Sequence, residues 1–135
     1  MSKNHRLKKT QYTLRKQDIG YLLLTSPASI TWLTGFCGLD SAALITPSQL
    51  YLITDSRYTE QAEKECSCRI INRTRSITET AAEIIKKSRS AKPAAIETTA
   101  HVAVLNTLEK NLRKKISTIQ DPVKRLRENK SPEEI

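Results

Sequence analysis

The strongest constraint on this chain is a repeated alternation between short apolar runs and segments that carry helix start signals. The longest apolar run, at residues 19–25, has the length of a strand and falls well short of the ~20 residues that cross a bilayer. This order predicts one α/β domain with a mixed β-sheet flanked by helices. The predicted strands occupy residues 21–25, 41–46, 50–54, 69–71, 94–97 and 116–119. The predicted helices occupy residues 4–17, 28–33, 56–65, 77–87 and 101–115.

Local signals fix the positions of several elements. Residues 47–49 have the composition of a tight turn, so the runs on either side are expected to pair as a hairpin. Ser26 followed by Pro27 is typical of a helix start, because the serine can cap the helix and proline fits its first position. Ser76 and Glu79 have the spacing of a capping box, which predicts a second helix start.

Two further predictions concern individual helices. Asp55 follows the third predicted strand and is expected to cap the helix at residues 56–65. The helix at residues 101–115 is expected to bury one face, because its apolar residues recur at intervals of three and four. That face consists of Val102, Leu105, Leu108 and Leu112.

The charge of the chain leaves a second function class open. A formal net charge of +9 is large for 135 residues and favours an acidic partner such as nucleic acid. The charges are not interleaved with base-stacking aromatic residues, so two solvated helix faces are the preferred interpretation. A stand-alone nucleic-acid-binding domain remains the alternative. The basic residues cluster near the two ends, at Lys3, Arg6, Lys8, Lys9, Arg15 and Lys16 and at Arg113, Lys114, Lys115, Lys124, Arg125, Arg127 and Lys130.

The cysteines and histidines do not form a recognisable metal motif. The chain has 3 cysteines, an odd number that does not suit a small disulfide scaffold. Cys66 and Cys68 are expected to point the same way, but a structural zinc site needs four ligands. The remaining candidates, Cys37, His5 and His101, have no metal-binding spacing. Free thiols and the absence of a metal site are therefore predicted.

A stand-alone hydrolase is a third hypothesis. It would use Cys37 or Ser41 as the nucleophile near His101, but the spacing of these residues does not support it. The basic N-terminus is not followed by the apolar segment of a signal peptide, and a cytoplasmic location is expected.

The last residues have the pattern of a helix start. Ser131 precedes Pro132, and Glu134 stands three residues after the serine, as in a capping box. A helix of four residues has no stability of its own, so a continuation of the protein beyond Ile135 is expected. A frayed tail that merely resembles a cap is the alternative.

Three segments together resemble the N-terminal, creatinase/prolidase-type domain of Xaa-Pro dipeptidases and aminopeptidases P. The first is ITWLTGF at residues 30–36, followed by Gly38, and the second is LITDSRYTEQA at residues 52–62. The third, residues 123–135, is similar to the junction that leads into the catalytic domain of that family. Trp32 and Asn129 depart from the family pattern, in which tyrosine and an apolar residue are usual.

The resemblance implies a ribonuclease H-like α/β fold for residues 1–128 and the start of a domain junction at residues 129–135. It implies that the parent protein is a metal-dependent Xaa-Pro peptidase. Two divalent metal ions, such as manganese or cobalt, would be held by a C-terminal catalytic domain that this sequence does not contain. The resemblance therefore implies that residues 1–135 bind no metal, carry no catalytic residue and are inactive on their own.

The resemblance also implies partners and site residues. The partners are the chain's own C-terminal catalytic domain, a second copy in a homodimer, and the proline-containing peptides bound by the parent enzyme. The implied substrate-binding or subunit-interface residues are Phe36, Cys37, Leu39, Asp40, Arg57 and Tyr58.

The residues themselves suggest roles for this site, and simpler alternatives. Phe36 and Leu39 could contact a proline ring, while Asp40 could pair with a substrate amino group or a partner arginine. Alternatively, Phe36 belongs to the core and Asp40 caps the next strand. Arg57 is expected to form an ion pair with Glu60 or across a subunit boundary.

Overall fold

The computed structural model describes residues 2–38, 40–88, 92–98 and 100–119. Leu39, the predicted helix start at Ser131 and the predicted junction at residues 129–135 lie outside the described residues. The helices are α1 Lys3–Lys16, α2 Pro27–Thr34, α3 Thr59–Glu65, α4 Ile77–Lys87 and α5 Val102–Leu112. The strands are β1 Tyr21–Leu24, β2 Ala42–Ile45, β3 Leu50–Thr54, β4 Arg69–Asn72, β5 Ala94–Glu97 and β6 Ser117–Ile119.

The strands form one sheet in the order β4-β3-β2-β1-β5-β6. The pairs β1–β2 and β2–β3 are antiparallel, and the second of them is the predicted hairpin. The pairs β3–β4, β1–β5 and β5–β6 are parallel. A mixed sheet flanked by helices confirms the fold class predicted from the sequence.

Helices cover both faces of the sheet, which explains why the central strands are apolar throughout. Side chains alternate between the two faces of a strand, so Leu22 and Leu24 pack on one side and Tyr21 and Leu23 on the other. The first side holds α1, α2 and α3, which contribute buried residues such as Leu33. The second side holds α4 and α5. Among the described residues, every helix is too short or too polar to cross a lipid bilayer.

Two local predictions are wrong, and both errors have a physical cause. The third helix begins at Thr59 with Tyr58 as its N-cap. Asp55 lies before a turn, and its carboxylate accepts hydrogen bonds from the backbone N–H and the guanidinium of Arg57 within that turn. Val102 is 69% exposed, because α5 starts at this residue and its side chain precedes the packed face. The face that meets the core holds Val104, Leu105, Leu108 and Leu112.

The two helix starts that were predicted at serine residues differ in how they are capped. Ser76 caps α4, since its Oγ accepts a hydrogen bond of 3.1 Å from the Glu79 N–H. Ser26 precedes Pro27 at the start of α2, as predicted, but its side chain makes no capping hydrogen bond. The capping group of α2 comes from elsewhere in the fold, as described below.

Candidate functional site

The predicted site residues lie at the edge of the sheet where the parallel strands β1, β3, β4 and β5 end. The loop between α2 and β2 crosses this edge, and Gly35 begins it. Gly35 ends α2 in the left-handed conformation, with φ of 86°, and its N–H donates to the Thr31 carbonyl over 2.8 Å. Glycine adopts this conformation without the strain that a side chain would bring.

Phe36 lies in the core and not on the surface of the loop. Its exposed fraction is 0%, and its ring meets the Tyr58 ring edge-on with centroids 6.3 Å apart. The backbone of Gly38 packs directly on the Phe36 ring, so a Cβ at Gly38 would overlap it. Thr31 Oγ1 donates to the Phe36 carbonyl over 2.8 Å, which fixes the backbone as well. Phe36 therefore anchors the loop, as the core alternative predicts, and its ring has no surface for a ligand in this conformation.

Cys37 is exposed at the next position, and its backbone is tied to α3. Its N–H donates to Glu65 Oε2 over 3.1 Å, while Gln61 Nε2 donates to the other carboxylate oxygen of Glu65 over 3.1 Å. Glu65 thus joins the loop to the last turn of α3. Leu39 belongs to the same loop but lies outside the described residues.

Asp40, Arg57 and Asp55 form an ion-pair cluster that connects this loop to the end of β3. Arg57 Nη2 lies 2.7 Å from Asp55 Oδ2 and 3.1 Å from Asp40 Oδ2. Arg57 Nε lies 3.2 Å from each carboxylate oxygen of Asp55, and the Arg57 N–H donates to Asp55 Oδ1 over 2.9 Å. The guanidinium carbon is 5.3 Å from the centre of the Tyr58 ring. Four of the predicted site residues, Phe36, Asp40, Arg57 and Tyr58, are therefore linked by direct contacts.

Arg57 does not form the ion pair with Glu60 that was one of its two predicted alternatives. Glu60 pairs with Lys64 at 3.4 Å, and Arg57 instead binds Asp55, which lies at the end of the adjacent strand. Asp40 has φ of 50°, in the left-handed region that aspartate tolerates better than most residues. Its side chain points to Arg57 of the same chain.

The electrostatics of the cluster follow from these contacts. Hydrogen bonds from the Arg57 guanidinium hold the pKa of the Asp55 carboxyl below its ordinary value of 3.8, and Arg73, at 3.8 Å, adds to the effect. The same hydrogen bonds raise the pKa of Arg57. Arg57 and Asp40 are exposed, whereas Asp55 is largely buried. Within the described part of the chain, Nη1 of Arg57 has no hydrogen-bond acceptor, so it can take one from outside.

We expect the Asp55–Arg57 contact to make stability depend on pH. A carboxyl whose pKa is lowered by folding adds stability above its unfolded pKa of about 3.9, and this contribution disappears as the pH falls below that value. Wild type should therefore unfold at higher urea than Asp55→Asn at pH 6, and the difference should shrink at pH 3. Urea midpoints of both proteins measure this. Asp18→Asn, at an exposed aspartate outside the cluster, is the control, and a wild-type advantage over Asp55→Asn that is the same at both pH values would contradict the assignment.

The thiols and histidines form no catalytic or metal-binding group among the residues that the structure describes. No three or more of His, Cys, Asp and Glu are arranged to hold a metal ion there. Cys37, Ser41 and His101 are all described, and no hydrogen bond connects them, which gives the hydrolase hypothesis no support. Burial raises the pKa of the Cys66 thiol, and it raises the pKa of the Cys68 thiol to about 12. The structure contains Cys37, Cys66 and Cys68 as free cysteines.

Glu97 is an important residue that sequence reasoning missed. It ends β5 at the same sheet edge and is 1% exposed. Its Oε1 accepts hydrogen bonds from the N–H groups of Thr25 at 3.2 Å and Ser26 at 3.3 Å, and Oε2 accepts one from Ser29 Oγ at 3.3 Å. Glu97 therefore supplies the negative charge at the start of α2 that the Ser26 side chain does not. The available signal was an acidic residue at the end of a fully apolar strand.

Comparisons with known proteins agree on one family. The sequence model for the Creatinase/Prolidase N-terminal domain matches residues 6–129. A comparison with curated proteins finds no match. None of the similarities found supports the nucleic-acid alternative.

Solved structures share the fold over almost the whole chain. An Xaa-Pro dipeptidase from Bacillus anthracis superposes with a TM-score of 0.90 and 21% identity, over 98% of this chain and 38% of that one. An Xaa-Pro aminopeptidase from Streptococcus pyogenes gives a TM-score of 0.83 and 25% identity, over 92% of this chain and 96% of that one. The N-terminal domain of cytoplasmic peptidase PepQ from Mycobacterium tuberculosis gives a TM-score of 0.81 and 18% identity, over 90% of this chain and 98% of that one. The chain thus spans well under half of the Bacillus anthracis protein.

Proposed function

We propose that this chain, which belongs to the creatinase/prolidase N-terminal domain family, is the non-catalytic N-terminal domain of a metal-dependent Xaa-Pro peptidase. The observation that carries the proposal is the family match over residues 6–129, together with a fold shared with an Xaa-Pro dipeptidase along 98% of this chain. The parent activity is hydrolysis of Xaa-Pro bonds. Residues 1–128 form this domain, and residues 129–135 begin the junction to a C-terminal catalytic domain.

In this proposal, the catalytic chemistry belongs to the C-terminal domain. Two divalent ions, such as manganese or cobalt, bound there would activate water and polarise the scissile carbonyl. The described residues of this chain offer no group of ligands for such ions. The chain on its own is therefore proposed to be inactive, and a cytoplasmic location is proposed, as for the PepQ relative.

The ion-pair cluster gives the domain a role in assembly. We propose a homodimer in which the loop at residues 35–41 approaches the substrate entrance of the neighbouring subunit and limits substrate length. Asp40 and Arg57 are exposed, and Arg57 has donor capacity left after binding both aspartates. A planar guanidinium held by Asp55 is prepared to bind a carboxylate of the neighbour or of a peptide. Phe36 and Tyr58 anchor this loop, and Cys37 is exposed in it. Leu39 is proposed to take part in the same contact.

Peptidase assays test the assignment. The 135-residue chain should not cleave Gly-Pro or Arg-Pro-Pro with manganese or cobalt present, whereas the complete product of the natural gene should cleave at least one of them. Metal-dependent cleavage by the 135-residue chain would contradict the non-catalytic role. A complete product that cleaves neither peptide with either metal would contradict the peptidase assignment.

Variants of the complete product test the role of the cluster. Arg57→Ala should lower kcat/KM by about tenfold, the effect expected from losing one charge-assisted hydrogen bond at a subunit or substrate contact. Glu63→Ala, an exposed residue of α3 outside the cluster, should leave kcat/KM unchanged. An equal kcat/KM for wild type and Arg57→Ala would reject a role at the entrance while leaving the family assignment intact.

A further inference from the structure

A cleft opens at the opposite edge of the sheet, at the starts of β3 and β4. Its volume is about 510 Å³, and it lies between these strands and the end of α4. Small-molecule sites in proteins usually measure about 300–1,000 Å³. The Asp40–Arg57–Asp55 cluster lies at the other end of the strands, so this cleft is distinct from the site described above.

The walls of the cleft are mainly apolar. Tyr51 and Ile71 face it from the sheet and Ile84 from α4, and all three are partly buried against the core. Tyr21 and Ser88 also line the cleft, and the Tyr21 hydroxyl is hydrogen-bonded to Ser88 Oγ. This pairing fixes the end of α4 against the sheet. The cleft therefore offers an apolar surface that can cover a ring or a branched alkyl group.

The charges around the cleft all have the same sign. Arg69 and Lys87 line it, and no Asp or Glu does so among the described residues. The Arg69 guanidinium carbon lies 5.9 Å from the centre of the Tyr51 ring, which holds the charge beside the apolar wall. Within the described ranges, neither Arg69 nor Lys87 forms a salt bridge. Two uncompensated cations beside an apolar wall repel cationic ligands and attract anionic ones.

We propose that this cleft binds a small amphipathic carboxylate, a molecule with one aromatic or branched apolar group and one carboxylate. The apolar group packs against Tyr51, Ile71 and Ile84. The carboxylate accepts two hydrogen bonds from the fork of Arg69, and Lys87 strengthens the positive potential. This proposal does not rest on the peptidase assignment, because it uses none of the residues at the other edge of the sheet.

An NMR titration of the 135-residue chain tests this site. The probes are 3-phenylpropionate and its uncharged analogue 3-phenylpropan-1-ol, added to ¹⁵N-labelled protein. The acid should bind with a Kd on the order of 1 mM, as expected for a ligand of this size, and should shift the amides of Tyr51, Ile71 and Ile84. The alcohol should bind at least about tenfold more weakly, since it cannot form the charge-assisted hydrogen bonds.

Matched variants separate this site from general attraction of anions. Arg69→Ala and Lys87→Ala should each weaken binding of 3-phenylpropionate by about five- to tenfold. Lys86→Ala removes another exposed cation from the same turn of α4 but outside the cleft, and should leave the Kd unchanged. Equal affinity for the acid and the alcohol, or an equal loss in Lys86→Ala and Lys87→Ala, would overturn the proposal. So would the absence of saturable shifts around the cleft in the wild type.

Discussion

Replacing Glu97 with alanine is expected to lower the free energy of unfolding by about 3 kcal/mol, the range for removing a buried charged acceptor. The substitution leaves the N–H groups of Thr25 and Ser26 and the Ser29 hydroxyl without this acceptor at the start of α2. It also removes a negative charge from the positive end of that helix. The expected effect is large because Glu97 is buried, so water cannot easily replace the carboxylate.

Two further variants define this result. Glu97→Gln keeps an acceptor for the two N–H groups but loses the charge, and should cost about 1 kcal/mol. Glu63→Ala removes an exposed glutamate from α3 and should change stability by less than about 0.5 kcal/mol. Urea denaturation at pH 7 measures all three. A change in Glu97→Ala no larger than that in Glu63→Ala would show that the Glu97 contacts do not stabilise the fold.

Phe36→Ala is expected to destabilise the domain by about 3–5 kcal/mol, the usual cost of removing a buried aromatic ring. The Phe36 ring fills the space beneath the loop, between Tyr58 and the backbone of Gly38, and none of it is exposed. Its removal leaves a cavity and also frees the loop that carries Asp40. If the complete protein is the proposed peptidase, a loss of activity would then follow from loss of the anchored loop, and not from a lost contact with substrate.

The neighbouring residue provides a matched control for this prediction. Cys37 is exposed, so Cys37→Ala should change stability by less than about 0.5 kcal/mol. Phe36→Leu should cost less than Phe36→Ala, because it refills part of the cavity. The measurement is again the urea midpoint and slope. If Phe36→Ala left stability unchanged and reduced only the activity proposed for the complete protein, Phe36 would instead be a substrate contact.

The features of the fold that could be predicted are formed by residues close to one another in the sequence. The turn at residues 47–49 and the cap formed by Ser76 and Glu79 are local, and the structure contains both. The central strands β1 and β2 could be predicted because a strand buried on both faces is apolar throughout. Asp55 shows the limit of this reasoning. Its side chain could either cap a helix or pair with Arg57, and in the structure it pairs with Arg57.

The parts that could not be predicted depend on residues distant in the chain. The capping of α2 by Glu97 joins positions 72 residues apart, and nothing near Ser26 indicates it. The contact of Asp40 with Arg57 needs the loop to cross the sheet edge, which requires the strand order. The cleft at the starts of β3 and β4 could not be predicted from the sequence either. Its walls come from β3, β4 and α4, and it exists only where these elements leave a gap.

The strand order has a consequence for how the chain folds. Strand β1 lies between β2, which follows closely in sequence, and β5, which arrives after β3, β4 and two helices. Closing the longer loop costs more conformational entropy, so we expect β5 to dock after the antiparallel strands β1, β2 and β3 have paired. The carboxylate at the start of α2 belongs to Glu97 of β5, so we expect α2 to be only marginally stable until β5 docks. The first half of the chain thus acquires its final rigidity only when the second half joins it.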